Sequence, residues 1–252
     1  MMDFFYIVLY QPLFNFLILL YTYLPGRDFG IAILVLTFFF RLLFYPLGVK
    51  AIQSQKLLQE LQPKIKEIQQ KYKNDIKKQA KETIELYKKA KINPFSGVLP
   101  VLIQLPVLIA LFQIFLAGFQ AESMVHLYDF VPNPGQVNPL FLGIIDLSKS
   151  ATAQLNGQNL FLLPNIILII LAGIAQFFQT KALNPKTLGI KKNKGHQVST
   201  SEKIQSQMSY FLPIFTVFIL WGLPAALAIY WLATTIFSII QQYFVLRPAK
   251  FN

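Results

Sequence analysis

The sequence predicts an all-α, polytopic membrane protein: five transmembrane helices with a helical hairpin outside the membrane. Three observations carry this. Of 252 residues 54% are hydrophobic and only 13% charged, with a mean hydropathy of +0.48. Apolar runs of membrane-crossing length recur along the chain. The formal net charge of +12 is concentrated in a few polar segments between those runs.

Residues 1–28 begin apolar and aromatic, with Asp3 as the only charge before Arg27. A basic n-region and a small-residue cleavage site are both missing, so this is not read as a signal peptide. Pro12 and Asn15 interrupt the run and leave each half too short to span, which predicts an interfacial helix on the outer face, the alternative being an extra spanning helix. Pro25-Gly26 turns the chain into the first transmembrane helix, 29–49, which Pro46 ends. From 50 to 93 the chain carries 12 Lys against Glu60, Glu67, Asp75, Glu82 and Glu85. Leu57, Leu61, Ile65, Ile68 and Tyr72 form one helical stripe, and Ile76, Ala80, Ile84 and Tyr87 a second. With Asn74-Asp75 between them they predict an antiparallel hairpin, kinked at Pro63.

The second transmembrane helix is expected at 94–119, containing Pro100, Gln104, Pro106 and Gln113. Residues 120–159 form an outer loop in which PLFLGIIDLS, 139–148, is an apolar patch at the interface. A third transmembrane helix, 160–180, is followed by a basic loop, 181–206. The fourth and fifth, 207–223 and 224–246, meet at a Gly222-Leu223-Pro224 corner, and 247–252 form the tail.

The hairpin, the 181–206 loop and the tail hold 12, 6 and 2 of the 23 Lys and Arg. The positive-inside rule makes all three cytoplasmic, with the N-terminus outside and the C-terminus inside. The +12 is therefore mainly topogenic, with attraction to the lipid bilayer's anionic headgroups, and no specific nucleic-acid partner is expected.

Arg41 breaks the pattern. It is the single full charge in FGIAILVLTFFFRLLFYPL, and Lys50, the next cation, lies about 13 Å further along a helix. An arginine at helix centre costs about 2.5–3.5 kcal/mol on insertion scales. No Asp or Glu occurs in the transmembrane helices, so no carboxylate there can pair with it. This predicts a water-filled cavity reaching into the bilayer, able to lower the cost of moving something amphiphilic such as a nascent protein.

The same search finds no catalytic chemistry. Cysteine is absent, and His126 and His196, the two histidines, sit in loops, so no metal or other cofactor is expected. The membrane hydroxyls Thr37, Ser209, Thr234, Thr235 and Ser238 have no base, and the protein is read as a non-enzyme. The polar residues left in the greasy helices are Thr37, Arg41, Gln104, Gln176, Gln179, Tyr230, Trp231 and Gln241, and all but Gln241 are candidates to line that cavity. Helix–helix hydrogen bonding is the ordinary role for such glutamines.

Four passages resemble a known family: FFFRLLFYPLGVKAIQSQKLLQELQPKIKEIQQKY, ELYKKAKINPFSGVLPVLIQLPVLIALF, LGIIDLS and YFLPIFTVFILWGLPAALAIYWLATTIFSIIQQYFV. In that order they are similar to the YidC membrane-protein insertase family. The resemblance implies five helices around a hydrophilic groove, open to the cytoplasm and to lipid and closed outside. Arg41 would sit in the groove, with Thr37, Gln104 and Trp231 facing it or the substrate path. It further implies a mobile, essential hairpin and location in the plasma (inner) membrane. The partners implied are nascent membrane proteins, the Sec translocon and the ribosome. The chain as it stands suggests a short form without a large outer domain or a lipid-anchoring cysteine, and the brief RPAKFN tail weighs against stable ribosome binding.

The alternative is a channel or small-solute transporter using the same cavity, but no internal repeat or paired helix breaks are visible. A structural scaffold would leave Arg41 unexplained. The topology is tested by single cysteines, Gln136→Cys and Asn193→Cys, in intact cells. The first should react with an impermeant maleimide and the second should not; labelling of both would overturn the five-helix arrangement.

Overall fold

The computed structural model describes residues 2–91, 93, 99–117, 121–155, 158–183 and 200–247. The start of the expected second span, most of the 181–206 loop with Asn193 and His196, and the tail beyond Arg247 lie outside the described residues. The described chain is a helical bundle with two small β-ribbons at one end and a helical hairpin at the other.

The N-terminal run is not split at Pro12. An α-turn, α1 (Met2–Phe5), passes into a π-helical stretch, Tyr6–Tyr10, and then into α2 (Gln11–Tyr23). The backbone N–H of Gln11 donates to Tyr6 O, five residues back, and this wider turn accommodates the proline ring without ending the helix. Asn15 is not a break either. Its buried amide donates to Gln11 O and to His126 O, 3.1 Å, and accepts from Tyr128 N–H, 2.7 Å, stitching α2 to the following loop. Tyr6–Tyr23 is therefore one helix long and apolar enough to cross a membrane, as are Leu163–Leu183 and Ala225–Leu246.

The expected straight helix over 29–49 is also corrected. Asp28 caps α3 (Phe29–Leu43) by accepting from Gly30 and Ile31 N–H. The helix ends at Phe44, and α4 (Tyr45–Lys71) leaves at 66°. Pro46 supplies no N–H for Leu42 O, so the ladder weakens one turn before the proline. At about 22 Å, α3 is shorter than a hydrocarbon core, and the two helices meet the requirement for a span only together.

α4 runs through Pro63 as one continuous helix. Asp75 caps α5 (Ile76–Lys89), and Gln79 Nε2 donates to Tyr72 O, 2.7 Å, closing the hairpin turn. Within the hairpin's second arm no residue is buried, and Ile76 is 80% exposed.

The remaining helices are α6 (Leu99–Ala117), α7 (Leu163–Leu183), α8 (Thr200–Trp221) and α9 (Ala225–Leu246). The core is built by Phe14, Leu17, Phe29, Ile33, Leu111, Phe115 and the small-residue start of α9. Ala225, Ala226 and Ala228 are fully buried, and small side chains let helices approach closely in a membrane. Gly173 of α7 works similarly, since an added Cβ would lie 2.4 Å from Val217 of α8.

The 139–148 patch folds as an antiparallel ribbon, β1 (Leu140–Phe141) and β2 (Ile145–Asp146); β3 (Thr152–Leu155) and β4 (Gln158–Phe161) make another. Between them the chain is sewn to the helices. Ala225 and Ala226 N–H donate to Lys149 O and Leu147 O, 2.8 and 3.1 Å. Asn165 Nδ2, buried at the head of α7, is shared among the carbonyls of Asp146, Lys149 and Ser150 at 3.0–3.1 Å. Burial pushes the Asp146 carboxyl up, but hydrogen bonds from Ser148 and the Lys149 ammonium outweigh this and hold it below its ordinary range.

Removing the amide in Asn165→Ala orphans these carbonyls and should cost about 1–3 kcal/mol, seen as a lower melting temperature in detergent. An unchanged melting temperature would show that water replaces the amide freely. The second expectation concerns dynamics: in lipid nanodiscs, amides of α5 should exchange first, then those of α4, and those of α9 last. Equal protection of α5 and α9 would contradict it.

Candidate functional site

Arg41 lies in the last turn of α3 rather than at the centre of a long helix. The bend at Phe44 therefore sets the guanidinium near the negative end of the helix dipole, a favourable contribution of about 0.3–1 kcal/mol. Among the described residues no carboxylate forms an ion pair with it. Thr37, Arg41, Phe44 and Gly48 follow one another on a single stripe that continues through the bend, at spacings of four, three and four.

This stripe, with Leu47, forms one wall of an open cavity of about 60 Å3. Gln104 and Val107 of α6 and Tyr230 and Thr234 of α9 form the others. At roughly 10–15 Å3 of such space per molecule it has room for about five waters. The walls are fixed by hydrogen bonds. Gln104 Nε2 donates to Tyr230 Oη, joining α6 to α9. The Thr37 hydroxyl donates back to Ile33 O, 2.7 Å. Thr234 Oγ1 lies one turn along α9 near the Tyr230 hydroxyl, outside hydrogen-bond geometry and buried without a partner. Phe40 and Phe44 stack at 6.3 Å and supply an aromatic side.

Four of the seven sequence candidates, Thr37, Arg41, Gln104 and Tyr230, thus come together on one cavity. Gln176 and Trp231 do not join them: Trp231 Nε1 donates to Gln176 Oε1, 3.0 Å, tying α9 to α7. Gln179, nearly one turn beyond Gln176, is half-buried and does not line the cavity. Gln241 holds the bend itself. Its Nε2 donates to Tyr45 O, 3.0 Å, and its amide packs so closely on Gly48 that an added Cβ would lie 2.7 Å away.

The cavity residues not singled out as a group beforehand are Phe40, Phe44, Leu47, Gly48, Val107 and Thr234. Their signal was periodic: Thr234 follows Tyr230 by four, and Phe44 and Gly48 follow Arg41 by three and seven. The site offers one cation, an amide, three hydroxyls and an aromatic side. It holds no nucleophile–base pair, and the described residues contain no metal-binding cluster. Such a surface can solvate a polar or anionic segment without acting on its covalent bonds.

The profile of the family described as 60Kd inner membrane protein matches residues 19–251. Among similar proteins, the membrane protein insertase YidC of Syntrophus aciditrophicus is 33% identical over 239 residues, covering 95% of this chain and 36% of the relative. Those of Chlamydia caviae and Methylobacterium radiotolerans are 34% and 35% identical, covering 91% and 94% of this chain and 27% and 35% of the relatives. The chain thus spans about a third of the length of these curated relatives. With the helical membrane architecture, the match over nearly all of its length makes this chain a member of the 60Kd inner membrane protein family.

Proposed function

We propose that this protein is a non-enzymatic membrane-protein insertase and chaperone. It moves nascent client helices from the cytoplasm into the lipid of the inner membrane through the Arg41 cavity, alone or beside the Sec translocon. The observation that carries this reading is an intramembrane arginine on an open polar cavity, with no carboxylate partner among the described residues. Similarity to proteins named membrane protein insertase YidC supports it independently. The proposed arrangement keeps the N-terminus outside and the hairpin and C-terminus in the cytoplasm, where the basic hairpin also meets headgroups and the ribosome.

In this mechanism the client's hydrophilic segment enters the cavity and exchanges bulk water for Arg41, Gln104 and the Tyr230 hydroxyl. Its apolar helix meanwhile slides to lipid. A carboxylate about 4 Å from the guanidinium, at an effective dielectric of about 20, gains roughly 4 kcal/mol before desolvation is subtracted. That holds a segment transiently without trapping it. The place of Arg41 at the C-terminal end of α3 adds a second effect: an anionic segment must not displace the cation from the helix end that stabilises it.

The test is insertion of a small single-span client into proteoliposomes, with its translocated acidic residues present or neutralised. Arg41→Lys should retain most activity, and folded Arg41→Ala should lose it selectively for the acidic client. Equal failure of Lys and Ala would mean that the forked geometry of arginine, rather than its charge, is required. Full insertion of the acidic client by Arg41→Ala would refute the proposal.

A further inference from the structure

The β1–β2 ribbon carries a leucine where turn chemistry calls for another residue. Its turn is closed by Ile144 N–H donating to Phe141 O, 3.0 Å. Both central residues are left-handed, Leu142 at φ 52 and Gly143 at φ 71. The second is a natural place for glycine; the first favours Asn, Asp or Gly, and a leucine there is strained. Asp28 holds the strained backbone in place. The carboxylate that caps α3 through Oδ1 accepts Leu142 N–H at Oδ2, 2.7 Å. The leucine side chain gains no packing in return, being 63% exposed, and Ile144 is 69% exposed.

The ribbon's position indicates what these side chains meet. Phe141, on the strand before the turn, lies against Gly30 so tightly that a Cβ there would overlap its ring. Gly30 heads the row Gly30, Leu34, Phe38, Leu42 on α3, whose last three members are exposed apolar residues. The ribbon tip therefore continues a face of α3 that is already apolar and open to lipid. In the chain just before α3, Tyr23 is 72% exposed and Arg27, next to Asp28, is exposed as well. An exposed tyrosine and a cation beside apolar side chains is the composition of a membrane–water boundary.

We infer that the β1–β2 tip is a fixed lipid-surface anchor: Leu142 and Ile144 enter the acyl boundary of the leaflet at the ribbon end. Tyr23 then stands at headgroup level, and Arg27 reaches the lipid phosphates. The ribbon holds the strained leucine outward because the bilayer, not the protein, receives it. The anchor sets the depth of α3 in the membrane, through Asp28 at its N-cap, from the end opposite Arg41. This does not depend on insertase activity and is tested without it.

The chain contains no cysteine, so single-cysteine variants label cleanly. Spin labels at Leu142→Cys and Ile144→Cys are compared with Ile170→Cys, exposed on α7, and Gln136→Cys, exposed in the loop. The protein is placed in nanodiscs of phosphatidylcholine and phosphatidylglycerol, and collision with oxygen and with a water-soluble nickel chelate is measured. Labels at 142 and 144 should favour oxygen and rank between those at 170 and 136. Chelate access equal to that at 136 would overturn the anchor, and exclusion of both reagents would replace the bilayer by a second protein copy. Leu142→Asn separates strain from folding. It should raise the melting temperature in detergent and increase chelate access of a label at Ile144→Cys; a fall in melting temperature would show that Leu142 packs within the protein, contrary to the inference.

Discussion

A guanidinium in an apolar helix, with no carboxylate in any transmembrane segment, is the constraint from which the rest of the arrangement follows. Its desolvation can be limited only by dipoles, hydroxyls, amides or water. The first three surround Arg41, and the cavity leaves room for the fourth. The bend at Phe44 ends α3 just beyond the arginine and turns an interior position into a helix terminus. α6 and α9 contribute Gln104 and Tyr230, and their mutual hydrogen bond keeps the cavity's polar wall in place. Gln241 holds Tyr45 O and packs on Gly48, so the bend that creates the site is itself fixed from α9.

The two ends of the bundle solve different problems. At the ribbon end, backbone carbonyls of the loop are taken up by Asn165 and by the first amides of α9, and the core is dense with fully buried side chains. Unpaired carbonyls near a low-dielectric region cost several kcal/mol each, so sealing here requires saturation of the backbone. At the hairpin end, α4 buries only Ala51, Ile52 and Ile65, and no residue of α5 is buried. The bundle is thus densely hydrogen-bonded at the ribbon end and sparsely packed at the hairpin end.

Much was legible from the chain because membrane proteins obey strong one-dimensional rules. The apolar runs at 160–180 and 224–246 overlie α7 and α9, and the paired stripes fall on α4 and α5. Arg41, Thr37, Gln104 and Tyr230 were identifiable as polar residues out of place, and they do converge on one cavity. Local rules failed where a neighbour compensated. Pro12 was expected to split the first helix, yet a π-helical turn absorbs it. Asn15 was expected to weaken the same helix, yet its amide is spent on His126 and Tyr128, more than a hundred residues away.

Composition and periodicity by themselves determined that this is a helical membrane protein with a basic amphipathic hairpin and one uncompensated intramembrane cation. These properties depend on transfer free energies and helical spacing, which belong to each segment alone. Which polar residues share a surface was decided only by tertiary structure. Gln104 and Gln176 are both glutamines in apolar helices, yet the first lines the cavity and the second is bound to Trp231. The difference lies in which face of α9 each meets, and that is set by the packing of α9 against α3, α4 and α7. The position of Arg41 at a helix end was decided in the same way, by a bend that depends on Pro46 within the segment and on Gln241, some two hundred residues distant, to hold it.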